Sequence, residues 1–128
     1  MNNKISLIKD INRGVQWTFE EKEIYVNYSE EGGGAVYSKK YKLVVVMNYK
    51  KEQFDLDMNV YTLDGEFIGK IKPHEKKLAY IYITSHEYSK SNVAVVAECQ
   101  ENEGDFNQWH FNVDLDNFKI AEKIAPAY

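Results

Sequence analysis

Three features of this sequence predict an all-β, antiparallel fold. Aromatic and β-branched residues gather in short runs bounded by turn residues. Nowhere do apolar residues hold the i, i+3, i+4, i+7 spacing of an amphipathic helix over three turns with caps at both ends. A pattern of strands also recurs at about 50 residues. Composition agrees: 10 Tyr, 6 Phe and 2 Trp stand against only 2 Pro, a balance that suits strands. The 128 residues make one domain, 1–128, large enough to bury a core without disulfides or metal.

Taken in order, the chain opens with a hairpin over residues 3–19. Ile5 to Asp10 and Val15 to Phe19 flank a turn through Asn12-Arg13-Gly14. Ile24-Tyr25-Val26-Asn27-Tyr28 reads as the next strand, and Gly32-Gly33-Gly34 as a flexible connector after it. Leu43 to Met47 is apolar throughout, the pattern of a strand covered on both faces. Val60 to Leu63 precedes Asp64-Gly65, the strongest short hairpin signal, because such turns need φ > 0. Ala79 to Thr84, Val93 to Ala97 and Phe111 to Leu115 complete the strand list. In the last of these, Phe111, Val113 and Leu115 alternate with Asn112, Asp114 and Asp116, as in a strand with one buried face.

The second half repeats the first. Leu43-Val44-Val45-Val46 superimposes on Val93-Ala94-Val95-Val96, and Asn59 to Pro73 on His110 to Pro126 with two extra residues at the turn. Four-stranded units at this period are the signature of β-propeller blades. With strands lettered A to D from the inside out, the chain divides into a C–D hairpin (3–19), a blade (23–73) and a second blade (78–126). That is a half β-propeller of about two and a half four-stranded blades, too short to close. A β-sandwich or barrel is the alternative, since regular strands and turns read alike in all three.

Little in the sequence suggests catalysis. Cys99 is the only cysteine, so no internal disulfide forms, and after a buried-type strand it reads as a small hydrophobe. His74-Glu75 and His86-Glu87 begin like a zinc motif, but Leu78 and Lys90 stand where its second histidine belongs. No nucleophile elbow or phosphate loop occurs. The expectation is a protein that is not an enzyme and uses no cofactor or metal. No apolar run approaches the ~18 residues that span a bilayer, and no signal peptide is legible, so the chain reads as cytoplasmic.

Charge is the more informative property. The net charge is −4, from 16 Lys+Arg and 20 Asp+Glu, and Arg13 is the sole arginine. A nucleic-acid partner is thereby disfavoured and a basic protein partner is not; with no spanning run, no membrane partner is expected. From Ser91 to Phe118 there are six acids (Glu98, Glu101, Glu103, Asp105, Asp114, Asp116) and no Lys or Arg. In the propeller reading, Gln100 to Gln108 is the B–C loop of the last blade, and Lys50 to Asp57 is its equivalent one blade earlier. Both open on one face, together with Glu20 and Glu21. Glu101, Glu103, Asp105, Asp55 and Asp57, with Phe54, Phe106 and Trp109 as aromatic anchors, are the candidate partner-binding residues. A solvated loop surface is the alternative reading of the same residues.

A short, acidic, cysteine-poor half-propeller resembles the immunity proteins of contact-dependent growth inhibition systems that neutralise EndoU-type ribonuclease toxins. The resemblance runs the length of the chain, through the repeats, and rests on architecture rather than a motif. It implies a bacterial antitoxin, a monomer when free and 1:1 with its cognate toxin, which plugs the toxin's active site. It implies that acids imitate the RNA backbone against a basic RNase surface. A general interaction module or dimerising half-propeller, and a small all-β enzyme, remain the other classes.

Overall fold

A computed structural model describes residues 9–11, 13–103 and 106–127, with side chains described for 10–11, 13–99 and 107–127. Strands account for most of the chain, and no helix occurs among the described residues. Eleven strands form three antiparallel sheets. The first is a meander of β1 (Lys9–Ile11), β2 (Gly14–Phe19) and β3 (Lys22–Asn27). The second runs β4 (Gly33–Ser38), β5 (Leu43–Asn48), β6 (Asp57–Thr62), β7 (Phe67–Lys70), and the third β8 (Leu78–Ser85), β9 (Val93–Glu103), β10 (Phe106–Asp114), β11 (Lys119–Pro126). Every neighbour pair in each sheet is consecutive in sequence, so each sheet is built from local hairpins.

The sheets stack face to face with the β4–β7 sheet in the middle. The alternation of β5 decides this. Val44 and Val46 belong to one apolar cluster, with Val15, Trp17 and Ile24 of the first sheet. Val45 and Met47 belong to the other, with Tyr80, Val95 and Phe111 of the third. Successive side chains of a strand point to opposite faces, so an all-apolar strand is what a middle layer requires. Leu43 to Met47 therefore reads as predicted, and Val44, Val45, Val46 and Met47 are all buried. Polar links fix the layers. The Trp17 indole Nε1–H donates to the Leu63 carbonyl at 2.7 Å between the first two sheets. Beyond β7, Lys72 lies parallel to the start of β11, with its N–H donating to the Phe118 carbonyl and its carbonyl accepting from the Ile120 N–H, each at 2.9 Å.

Strand allotment differs from the sequence reading in three places. Ile24 to Asn27 lies in β3 and pairs with β2 (Trp17 opposite Ile24), so it closes the first sheet and does not open the second. Its turn is Glu20-Glu21, both with φ > 0 (50° and 69°), a conformation that glutamates do not advertise. The glycine run is no connector: Gly33 and Gly34 are the first residues of β4. A Cβ on Gly33 would lie 2.5 Å from the Met47 carbonyl oxygen and 2.7 Å from the Tyr28 ring, so glycine is needed for close approach within a strand. Finally, Gln100 to Gln108 is mostly strand. β9 continues to Glu103, which pairs with Phe106. Of the expected opening strand Ile5 to Asp10, residues 5–8 lie outside the described residues.

Candidate partner-binding surface

Hydrogen bonds sort the connections into two ends. At one end, the Tyr28 N–H donates to the Arg13 carbonyl at 2.7 Å, the Tyr49 N–H to that of Gly32 at 2.9 Å, and the Tyr80 N–H to that of Gln53 at 2.8 Å. These bonds gather the β1–β2, β3–β4, β5–β6 and β7–β8 connections. The β9–β10 hairpin joins them, because Leu78 at the start of β8 pairs with Cys99 and β9 runs on past it. At the opposite end, the Lys22 ammonium donates to the Asp64 carbonyl at 2.9 Å, and the Tyr41 hydroxyl to the Asp116 carboxylate at 2.8 Å. Glu20 and Glu21, expected beside the acidic loops, therefore sit at the opposite end with the β6–β7 turn. Glu30 and Glu31 of the β3–β4 connection take that place.

Each predicted site residue has a definite setting. Phe54 is exposed in the β5–β6 loop with the Lys77 ammonium 4.5 Å from its ring centre. Asp55 is exposed beside it. Asp57 is a brace: it pairs with Lys70 at 3.2 Å and accepts hydrogen bonds from Asn48 and Asn59. Burial works to raise its pKa, but the bonds from Asn59, Asn48 and Lys70 outweigh that and hold it below the ordinary value. Trp109 faces inward from β10, packed on the core beneath the Lys123 ammonium, 4.8 Å from its ring centre. The side chains of Glu101, Glu103 and Phe106, and all of Asp105, lie outside the described residues. Of the predicted set, the loop end thus brings together Phe54, Asp55 and the strands carrying the hairpin acids, while Asp57 and Trp109 serve the fold.

The same end holds a cleft of about 590 Å³ between the first two sheets, lined by Asp10, Arg13, Tyr28, Ser29, Glu30 and the Gly32-Gly33 backbone. Its polar groups are largely committed. The Tyr28 hydroxyl donates to the Asp10 carboxylate, and burial followed by that carboxylate pushes the phenol far above its ordinary value. The Ser29 hydroxyl is shared by the Gly32 and Tyr49 carbonyls, so it is poorly placed to attack a substrate. Among the described residues no three of His, Cys, Asp and Glu gather as metal ligands.

Sequence reasoning missed a second surface, the outward face of the β8–β11 sheet. Tyr82 and His110 flank Val96 in register on this face. The His86 ring lies 4.6 Å from that of His110 and 5.2 Å from that of Tyr88. Nδ1 of His110 is buried without a hydrogen-bond partner. The signal was present in β10: Gln108, His110 and Asn112 alternate with the inward Trp109, Phe111 and Val113. What β10 alone did not reveal is that no further sheet among the described residues covers the alternate face.

The class these observations define is an all-β stack of three antiparallel sheets with an acidic hairpin at one end. No family model, no curated protein and no solved structure matches this chain. No helix among the described residues is long and apolar enough to cross a membrane.

Proposed function

We propose that the three sheets are successive blades of a partial β-propeller, and that the chain is an immunity protein for a basic nuclease toxin. It binds its cognate toxin 1:1 in the cytoplasm and covers the toxin's active site with the loop end, using no cofactor and catalysing nothing. The observation that carries this reading is the gathering of five connections at one end, with the β9–β10 hairpin projecting past Leu78. Glu101, Glu103 and Asp105 belong to that hairpin by sequence, and Phe54 and Asp55 lie in the β5–β6 loop, which is tied to the start of β8 through Gln53–Tyr80 and Phe54–Lys77. A nuclease site that binds RNA phosphates is positively charged, so such an end would associate fast and block substrate. Supporting this, the longest sequence stretch without a Lys or Arg, Ser91 to Phe118, is the one that carries β9 and β10.

The test is a binding and protection assay with the nuclease domain encoded beside this chain. Co-expression should rescue a host from that nuclease. Reversing Glu101, Glu103 and Asp105 to Lys should abolish rescue and weaken binding by about two orders of magnitude or more. Rescue unaltered by the triple reversal, or no protection by the wild-type chain, defeats the proposal.

A further inference from the structure

We infer that the outward face of the β8–β11 sheet is a docking surface for a basic protein, which sits where a fourth sheet would lie. The inference deepens the proposed function and rests on its basic partner. It starts from β9. Like β5, this strand is buried on both sides, over Val93 to Ala97, but among the described residues only one side meets another sheet. Val95 and Ala97 pack against the middle sheet. Ala94 and Val96 point the other way, yet are 0% and 1% exposed. The face's own side chains seal them: Thr84 and Asn112 flank Ala94, and Tyr82 and His110 flank Val96. The result is a filled, preorganised platform.

On it, Tyr82 and Tyr88 are 42% and 68% exposed. Exposed tyrosines over a rigid base are characteristic anchors of protein interfaces. The opposite outer face, on the β1–β3 sheet, carries an exposed tyrosine too, Tyr25, but its ring lies against the Gly14 backbone and the neighbouring Gln16 amide holds the Glu23 carboxylate.

Charge selects the occupant. Glu98 accepts from the Gln108 amide at 3.5 Å and Glu122 from the Asn112 amide at 3.3 Å. Neither carboxylate has an ion-pair partner among the described residues. Two oriented, uncompensated carboxylates around an aromatic centre complement a surface of Lys or Arg. Area argues against a second copy of this chain. Four strands about 4.8 Å apart and some eight residues long give roughly 500 Å², short of the ~800 Å² per partner of a stable interface. The face is continuous through β9 and β10 with the loop end, so one basic partner spanning both reaches a full interface, whereas a dimer made on this face alone does not.

A lysine oligomer tests this without the toxin. Amide shifts of the full chain, titrated with the oligomer at low salt, should gather at Tyr82, Glu98, His110 and Glu122. The double variant Glu98→Lys/Glu122→Lys should weaken binding about tenfold or more, whereas Glu20→Lys at the far end should not. No binding, shifts centred elsewhere, an unaffected double variant or a dimeric free chain by light scattering each overturns the inference. Toxin neutralisation is read separately: a chain that binds the oligomer here yet protects against no nuclease refutes the inhibitor and keeps the docking face.

Discussion

Single side chains hold the layers of this protein together, and two make sharp predictions. Trp17 fills the space between the first and second sheets and spends its only polar atom on the Leu63 carbonyl. Trp17→Phe leaves that buried carbonyl unpaired and opens a void. A loss of about 2–4 kcal/mol is expected, read as a lower urea midpoint at unchanged m. Asp57 acts through charge. Its pKa is held below the ordinary aspartate value of 3.8, so its contribution is present above that value and is lost as pH falls through the lowered one. Asp57→Asn should cost under about 1 kcal/mol at neutral pH, because the Lys70 pair is partly solvated, and should flatten the acid limb of stability below about pH 4. Equal pH dependence of the two proteins would remove Asp57 from the account.

At the scale of the strand, Gly33 marks where backbone crowding decides the ladder. Gly33→Ala places a methyl group against the Met47 carbonyl, which the β4–β5 pairing holds in place. A loss of about 2 kcal/mol or more is expected, with faster hydrogen exchange in β4 and β5 than elsewhere. The same strand shows why part of the fold was legible and part was not. β5, β9 and β10 carry their surroundings in their side chains, as apolar runs or clean alternation, so their positions were readable. The β2–β3 and β3–β4 boundaries rest on backbone instead. Glutamates adopt the left-handed turn at Glu20-Glu21 without a glycine signal, while glycines that read as a linker serve the packing of Tyr28 over β4. This shifted Ile24 to Asn27 into the wrong sheet and carried Glu20 and Glu21 to the wrong end. At the candidate site, Phe54 and Asp55 were readable as exposed chemistry, while the side chains of the hairpin acids lie outside the described residues. The roles of Asp57 and Trp109 were not, because they depend on Lys70, Asn48 and Lys123, which lie elsewhere in the sequence.

The whole molecule is a three-layer stack in which two apolar clusters share β5. Trp17 reports the interface of the first two sheets and Trp109 the core between the second and third. Fluorescence of the two single-tryptophan variants, each normalised to its own stability by circular dichroism, should follow the same urea transition as the backbone signal. One cooperative unit is expected because neither interface survives loss of the middle sheet. The functional claim belongs to this scale too, since Phe54 comes from the second sheet and the acidic hairpin and outward tyrosines from separate stretches of the third. Calorimetric titration of the adjacent-gene nuclease domain with wild-type chain and the Glu101→Lys/Glu103→Lys/Asp105→Lys variant tests that claim most directly. The account predicts a 1:1 complex whose affinity falls by about two orders of magnitude in the variant and with rising salt; equal affinity for both proteins, or no complex with the wild type, would contradict it.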